Sequence, residues 1–183
     1  MELSLGNGCY IRSFEDSDVP AIAKYANNRN IWINLTNKLP HPYTEADAQI
    51  WIQHVKTQEI ETNFAIASKE ELIGGIGFEL QADVHCKSAM LGYWLGQPYW
   101  GKGITTRAVC AITEYAFTHH DLMRIYAGVF AYNLASARVL EKAGYICEGR
   151  LRKSVFKDGK ITDMLVYAIL REEWQTSPVY KQL

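Results

Sequence analysis

A glycine-rich stretch at residues 96–103, with the sequence GQPYWGKG, has the residue types of a phosphate-binding loop. Its spacing matches G-x-x-x-x-G-K, the start of an ATP-binding P-loop. That motif needs a Ser or Thr directly after the lysine, because the hydroxyl ligates Mg²⁺. Gly103 stands there instead, and the segment Pro98-Tyr99-Trp100 is rigid and bulky where the loop has to wrap a phosphate. The sequence therefore argues against an ATP site.

The same stretch suits a pyrophosphate that is bound without a metal. Gly101 and Gly103 allow positive φ angles and a close approach of the backbone to a ligand. A helix is predicted to start after them, so several amide N–H groups would point at an anion, helped by the helix dipole and by the nearby cations Lys102 and Arg107. A plain strand-to-helix turn would also account for two glycines. The loop alone does not decide between these two interpretations.

A second stretch, residues 133–145 with the sequence NLASARVLEKAGY, makes the pattern more specific. Together the two stretches resemble the GNAT superfamily of acyl-CoA N-acyltransferases. In that family a Q/R-x-x-G-x-G/A loop holds the coenzyme A pyrophosphate, and an N-x-x-[AS]-x-x-x-x-E-K-x-G-[FY] helix lines the pantetheine arm. Residues 148–167 are also similar to the Rim-type branch, the ribosomal-protein-alanine N-acetyltransferase-like enzymes that acetylate ribosomal-protein N-termini. The resemblance covers roughly residues 8–174 and is sharpest over residues 92–145.

The resemblance implies acetyl-CoA as the cosubstrate, no metal, and direct transfer of the acetyl group to an amine in a ternary complex. A backbone N–H of Trp94 or Leu95 would meet the thioester oxyanion. The cofactor-binding residues that it implies are Trp94, Leu95, Trp100, Gly101, Lys102, Gly103, Ile104, Thr105, Thr106, Asn133, Ser136, Arg138 and Lys142.

Two positions depart from the family pattern. Pro98 occupies the first loop position, where Gln or Arg is usual, and Gln97 is adjacent. Leu140 stands where many members have a Tyr that protonates the departing thiolate. Ser136 is the candidate that replaces this Tyr, since some Rim-type enzymes are similar in having Ser there. A thiol with a pKa of ~8.5 leaves fairly well, so a weak acid could suffice.

Each candidate also has a structural interpretation that the sequence leaves open. Asn133 is a favoured helix N-cap whose side chain could simply accept the Ser136 N–H, and Ser136 could be an ordinary first-turn residue. Arg138 and Lys142 could contact coenzyme phosphates or be solvated. Glu79 is the candidate base, catalytic with Ser136, but exposure statistics favour a solvent-facing carboxylate at the end of its strand.

Hydrophobic periodicity positions these candidates on a mixed α/β framework. Helices are predicted after the Ser17-Asp18 cap, after Thr44 with Asp47 in the capping-box position, and over residues 105–118 and 133–143. Residues 28–43 are predicted to be a long loop that could line the acceptor groove. Strands are predicted at residues 9–14, 63–67, 72–78, 89–95, 124–130, 145–151 and 161–170. With the resemblance, this order implies a GNAT-like α/β fold, whose central, mostly antiparallel sheet is splayed after the fourth strand and flanked by helices.

Composition limits the classes of protein that remain. A chain of 183 residues, 48% hydrophobic and 21% charged, predicts a single domain over residues 1–183 with a core at about 8–174. We see no apolar span and no secretory signal, which favours a cytoplasmic protein without membrane contact. Four cysteines without a C-x-x-C pair and scattered histidines predict buried free thiols and no metal. The net charge of −1 argues against a nucleic-acid partner, although residues 1–88 carry 7 Lys/Arg against 12 Asp/Glu and residues 89–183 carry 12 against 8.

The sequence thus predicts an acetyl-CoA-dependent N-acetyltransferase that is a monomer or homodimer. The expected acceptor is the α-amine of a protein or peptide. A small amine (a polyamine, an amino acid or an aminoglycoside) is the alternative, and a non-catalytic acyl-CoA-binding module is a third hypothesis.

Overall fold

The computed structural model describes residues 2–180, and these form one mixed sheet with flanking helices. Its strands are β1 (Glu2–Gly6), β2 (Cys9–Arg12), β3 (Asn63–Ala67), β4 (Leu72–Leu80), β5 (Ser88–Leu95), β6 (Arg124–Phe130), β7 (Ile146–Lys157) and β8 (Lys160–Leu170). Its helices are α1 (Val19–Ala26), α2 (Arg29–Trp32), α3 (Glu45–Lys56), α4 (Ile104–His119), α5 (Leu134–Lys142) and α6 (Arg171–Thr176). Short 3-10 turns lie at Asp16–Asp18, Asp83–His85 and Gln97–Tyr99.

The strands follow the order β1-β2-β3-β4-β5-β6-β8-β7. The pairs from β1 to β4 are antiparallel, and so are β6 with β8 and β8 with β7. β5 and β6 are parallel, and their paired register extends only over Ser88–Met90, although β5 continues to Leu95. The prediction of a mixed, mostly antiparallel sheet is confirmed. The fourth predicted strand, residues 89–95, corresponds to β5, and the short β5–β6 register follows it in the strand order.

The chain divides into two compact units. The first unit contains the residues through Gly77 together with Tyr93–Ala108, and the second contains Phe78–Gly92 together with the residues from Val109 onward. A single domain over the whole chain stays a prediction.

The first unit has an apolar core in which α1 and α3 bury side chains with the sheet. Ile22 of α1, Ile52 of α3 and Leu72 of β4 belong to this core cluster and are almost completely buried. The predicted capping box at the start of α3 is present, because Asp47 N–H donates to Thr44 Oγ1 and Thr44 N–H donates to the Asp47 carboxylate. This local signal therefore placed α3 correctly.

The second unit buries the central part of α4 and one face of α5. Ile112 and Phe117 of α4, Ile125 of β6 and Leu140 of α5 are completely or almost completely buried. Inside this unit the Thr113 and Tyr145 hydroxyls are hydrogen-bonded at 2.7 Å, so both polar groups are satisfied away from water.

Several boundaries differ from the sequence prediction. β1, α2 and α6 were missed, and β7 extends to Lys157 rather than ending at residue 151. The turn between β1 and β2 has positive φ at Asn7 and Gly8, which fits the Asn-Gly signal of a tight hairpin. Asp18 is the N-cap residue of α1, as predicted, but its side chain makes no capping hydrogen bond to that helix. Its carboxylate accepts instead from Arg12 at 2.6 and 2.7 Å and from Glu15 N–H at 2.9 Å.

Candidate functional site

The glycine-rich loop lies in the first unit, between the end of β5 and the start of α4. Gly101 has φ +75° and Gly103 has φ +72°, so both adopt the left-handed conformation that the sequence predicted. The carbonyl of Gly103 accepts the first helical hydrogen bond, from Arg107 N–H at 3.2 Å. The amides of the intervening residues 104–106 therefore have no acceptor within the helix and are available to an anion.

The loop has open space at Gly101 and a close neighbour at Gly103. A Cβ built on Gly101 would meet nothing within 4 Å, and a Cβ on Gly103 would come within 3.1 Å of Arg107 Nη1. Residues 101–103 are exposed, whereas Ile104 is buried and anchors the helix start. Trp100 is 44% exposed, and its Nε1 donates to the Leu95 carbonyl at 2.7 Å. An open row of amides on an anchored loop fits a pyrophosphate.

The two cations near the loop differ in how they are held. Lys102 Nζ lies 5.4 Å from the centre of the Tyr99 ring and the residue is exposed. Arg107 instead donates from Nε to the Leu5 carbonyl at 2.6 Å, which ties the start of α4 to β1. The sequence suggested a phosphate-binding role for Arg107. It could not show the hydrogen bond to Leu5, because β1 was not predicted.

The end of β5 packs closely against β4. A Cβ on Gly75 would fall 2.8 Å from Trp94 Nε1, and Gly96 N–H donates to the Ile73 carbonyl at 2.7 Å. Trp94 is half-buried and Leu95 is buried. The glycines of β4 therefore serve close packing beside the predicted oxyanion position, and the register of β4 with β3 also shifts between Ile66 and Ala67.

A polar cluster lies behind the loop. Tyr25 donates to Glu71 Oε1 at 2.6 Å, and its oxygen lies 3.2 Å from the Tyr99 hydroxyl. Because Tyr25 donates its only hydroxyl hydrogen to Glu71, the Tyr99 hydroxyl is the donor in the hydrogen bond between the two tyrosines. Burial and the Glu71 hydrogen bond raise the pKa of Tyr25 to about 12, whereas hydrogen bonds from Lys24 and Tyr25 lower the pKa of Glu71. The cluster therefore contains a protonated Tyr25 hydroxyl that donates to an ionised Glu71 carboxylate.

The second unit carries the candidates on α5. Asn133 is the N-cap, and its Oδ1 accepts the Ser136 N–H at 3.2 Å, as the structural interpretation predicted. Ser136 is half-buried in the first turn, and Arg138 and Lys142 are exposed one turn apart. The capping role of Asn133 is thus confirmed, and its contact with pantetheine stays a prediction.

Leu140 and Glu141 have structural roles that the motif did not reveal. Leu140 is completely buried, so it fills the core of the second unit, and a Tyr there would have to displace neighbouring side chains. Glu141 Oε1 accepts from the Tyr167 hydroxyl at 3.0 Å, which holds the end of α5 to β8. Burial, followed by the Glu141 hydrogen bond, raises the pKa of Tyr167 to about 12, so this hydroxyl stays a donor. These contacts join residues distant in sequence and could not be read from it.

Two further predictions concern Glu79, the candidate base, and the four cysteines. Glu79 is exposed near the end of β4, where the Gln81 side chain donates to its backbone carbonyl at 3.0 Å. The expectation of buried thiols was wrong for Cys86 and Cys147, which are exposed, and Cys9 is half-buried. Cys110 is buried, and burial raises the pKa of its thiol to about 11. Cys110 is therefore protonated at neutral pH.

Residues 2–180 hold no cluster of three or more His, Cys, Asp or Glu side chains arranged to bind a metal ion. Within the same residues, none of the helices combines the length and the apolar character needed to cross a membrane.

Comparison with known proteins gives a consistent family. The model of the acetyltransferase (GNAT) domain matches residues 9–146. The chain is 41% identical to the probable N-acetyltransferase YjcK of Bacillus subtilis over 118 residues, and this aligned region covers 64% of this chain and 65% of that protein. It is 30% identical over 172 residues to the uncharacterized N-acetyltransferase p20 of Bacillus licheniformis, covering 90% and 93%. A GNAT-family acetyltransferase structure from Bacillus anthracis superimposes with a TM-score of 0.78 at 26% identity, covering 94% of this chain and 99% of that one.

Other relatives have names that state an acceptor. The ribosomal-protein-serine acetyltransferase of Escherichia coli is 31% identical over 105 residues, which cover 57% of this chain and 58% of that protein. The spermidine N(1)-acetyltransferase of Vibrio cholerae is 24% identical over 166 residues, covering 90% and 94%. The fold also matches a ribosomal L7/L12 α-N-protein acetyltransferase in complex with coenzyme A, with a TM-score of 0.80 at 19% identity and coverage of 93% and 98%.

Proposed function

Because the chain belongs to the GNAT acetyltransferase family, and is therefore an acetyl-CoA-dependent N-acetyltransferase, we propose that its acceptor is the α-amine of a protein or peptide N-terminus. The proposal is supported by the relative that acts on ribosomal-protein serine. The observation that carries the donor side is the open loop in which Gly101 and Gly103 both adopt positive φ.

The loop binds the pyrophosphate of acetyl-CoA through its backbone. Amides of residues 101–106 donate to the phosphate oxygens, and the dipole of the sixteen-residue helix α4 favours negative charge at this end. Lys102 adds an exposed positive charge. Arg138 and Lys142 of the second unit supply further cations for the coenzyme phosphates.

Three groups of the chain act on the reacting atoms. The bound cosubstrate supplies an activated acetyl group as a thioester. A backbone N–H of Trp94 or Leu95 donates to the carbonyl oxygen as it gains negative charge. Glu79 accepts the proton of the attacking amine, directly or through water, because an amine must lose a proton to become a neutral amide. Ser136 Oγ donates its hydrogen toward the sulfur, and Asn133 positions the pantetheine arm.

A small amine is the second candidate acceptor, because the relative from Vibrio cholerae acetylates spermidine. A polyamine carries no peptide bonds, so it would need acidic side chains around its cationic chain rather than backbone contacts. The two acceptor classes therefore make different demands and can be separated by one screen.

The test is the release of coenzyme A thiol in the presence of defined amines. Peptides that begin with Ser or Ala are compared with the same peptides carrying a blocked N-terminus, and with spermidine and an aminoglycoside. We expect thiol release with the free peptides alone and a mass gain at the α-nitrogen. A higher kcat/KM for spermidine than for every free peptide would overturn the peptide proposal.

A further inference from the structure

The Gln97 side chain is bound by two asparagines from a distant part of the first unit. Its Oε1 accepts from Asn28 Nδ2 at 2.8 Å and from Asn30 Nδ2 at 3.1 Å. Asn28 is also the N-cap of α2, since its Oδ1 accepts the Asn30 N–H at 2.8 Å. Gln97 is the first residue of the 3-10 turn Gln97–Tyr99, which leads directly into the glycine-rich loop. A single amide oxygen therefore joins this turn to the beginning of α2.

We propose that Gln97 is a positioning residue for acetyl-CoA: its Oε1, held by Asn28 and Asn30, fixes the turn from which the amides of residues 101–106 reach the pyrophosphate. Gln97 acts on the loop backbone through these hydrogen bonds and does not itself touch the cosubstrate. This inference rests on acetyl-CoA binding and is independent of the acceptor.

Gly96, Pro98 and Tyr99, the neighbours of Gln97, are restrained by other contacts. Gly96 N–H donates to the Ile73 carbonyl at 2.7 Å, and a Cβ on Gly96 would come within 2.8 Å of the Tyr25 ring. Pro98 fixes its own φ and has no N–H to lose. Tyr99 is hydrogen-bonded to Tyr25, and their rings meet edge to face at 5.6 Å. The turn is therefore attached on both sides, and Gln97 is the attachment to α2.

A loop that is ordered before binding loses less conformational entropy when it closes on a ligand. The glycines at 101 and 103 give the loop the φ angles that it needs, but they also make it flexible in the absence of external contacts. The contacts of Gln97 and Tyr99 compensate for this flexibility immediately before the loop. Loss of the Gln97 attachment should therefore weaken acetyl-CoA binding more than it alters the chemical step.

The atoms involved allow positioning to be separated from direct contact. Both hydrogen bonds of Gln97 end on Oε1, an acceptor, and a carboxylate offers the same acceptor. A side chain that touched the pyrophosphate would have to use its Nε2 as a donor. Gln97→Glu thus keeps the attachment to Asn28 and Asn30 but abolishes any donor to phosphate and adds a negative charge.

The experiment measures acetyl-CoA affinity by calorimetry without acceptor, and then the steady-state kinetics. We expect Gln97→Leu to raise the Kd and the KM for acetyl-CoA about fivefold to tenfold, with kcat unchanged within about twofold. Gln97→Glu, measured in high salt to screen its charge, should stay within about threefold of the wild type. The double variant Asn28→Ser with Asn30→Ala, in which Ser still caps α2, should raise the Kd for acetyl-CoA as much as Gln97→Leu does. A triple variant with all three changes should raise the Kd no further than Gln97→Leu or the double variant does.

Gln58→Leu is the matched control, because Gln58 Oε1 also accepts from an asparagine, Asn63 Nδ2 at 3.1 Å, but outside the loop. It should leave the Kd for acetyl-CoA unchanged. A wild-type Kd in Gln97→Leu, or a loss in Gln97→Glu as large as that in Gln97→Leu, would overturn the proposal. If Gln97→Leu does not fold, the double asparagine variant decides the matter, since a wild-type Kd there refutes the attachment. None of these outcomes depends on which amine is the acceptor.

Discussion

Gly74 of β4 lies so close to Trp94 of β5 that a Cβ on residue 74 would fall 2.5 Å from the Trp94 carbonyl oxygen. The same Cβ would lie 3.1 Å from the Cα of Leu95. Both neighbours are backbone atoms, which cannot turn aside as the end of a side chain can. The backbone at the end of β5, where we place the oxyanion donor, is thus positioned against a strand that has no side chain at this point.

Gly74→Ala should therefore destabilise the protein by about 1–3 kcal/mol, the usual range for overpacking. Urea unfolding followed by fluorescence measures this free energy. Gly92→Ala is the matched control, since Gly92 is also a strand glycine but a Cβ there would meet nothing within 4 Å. Equal stabilities for the two variants would contradict the close approach of Gly74 to Trp94.

Gly103→Ala should weaken acetyl-CoA binding about tenfold, which corresponds to about 1.4 kcal/mol. The alanine would have to adopt φ +72° and place its Cβ 3.1 Å from Arg107 Nη1, in front of the amides that we assign to the pyrophosphate. Gly159→Ala is the control, because Gly159 has φ +74° in the turn between β7 and β8 and open space around it. Calorimetry should show the loss in Gly103→Ala alone, and an unchanged Kd there would refute the amide site.

What the sequence could predict was local. The capping box of Thr44 and Asp47, the cap of Asn133 and the positive φ of Gly101 and Gly103 involve residues within a few positions of each other. A pattern over a short window is enough to specify such features, because the interacting atoms are neighbours in the chain.

What the sequence missed depends on partners that are far apart in the chain. Arg107 is bound by Leu5, and Gln97 by Asn28 and Asn30. Asp18 is a short-range exception: it occupies the N-cap position of α1, as its sequence context predicts, but its carboxylate accepts two charged hydrogen bonds from Arg12 instead of capping the helix. Such long-range or competing contacts need the folded chain before they can be recognised.

The Glu71 carboxylate should give a stability contribution that is lost in acid. Hydrogen bonds from Lys24 and Tyr25 lower its pKa below the ordinary 4.5, so the ionised form is favoured by folding. The contribution is therefore complete above about pH 4.5 and disappears as the pH falls through the lowered value. The difference in unfolding free energy between wild type and Glu71→Gln should shrink over that acid range. A Glu71→Gln difference that stays constant over that range would contradict the assignment.

Two variants of Asn133 should separate its structural role from its predicted contact with the pantetheine arm. Asn133→Ala removes the acceptor of the Ser136 N–H and should cost about 1 kcal/mol of stability. Asn133→Asp keeps an acceptor at the cap, so its unfolding free energy should stay within about 0.5 kcal/mol of the wild type. If Asn133 also donates to pantetheine, Asn133→Asp should still raise the Kd for acetyl-CoA severalfold. A wild-type Kd would leave Asn133 as a cap alone.

The last prediction concerns the proton that the departing thiolate takes up. Ser136→Ala removes the hydroxyl but keeps the backbone N–H that Asn133 accepts, so α5 and its cap should remain intact. We expect kcat to fall about 10²-fold, the lower end for a positioned proton donor, and the Kd for acetyl-CoA to change less than about threefold. Ser154→Ala, which removes a hydroxyl bonded to the Leu151 carbonyl, is the control and should keep the wild-type kcat.

Restoration of the lost rate has to come from residue 136 itself. Leu140 is completely buried, so a Tyr at that position would disturb the core before its hydroxyl could reach the sulfur. Ser136→Thr keeps a hydroxyl on the first turn and should recover part of the rate lost in Ser136→Ala. The comparison requires single-turnover measurements, because product release could otherwise hide a slower chemical step. A wild-type single-turnover rate in Ser136→Ala would show that water, and not Ser136, protonates the thiolate.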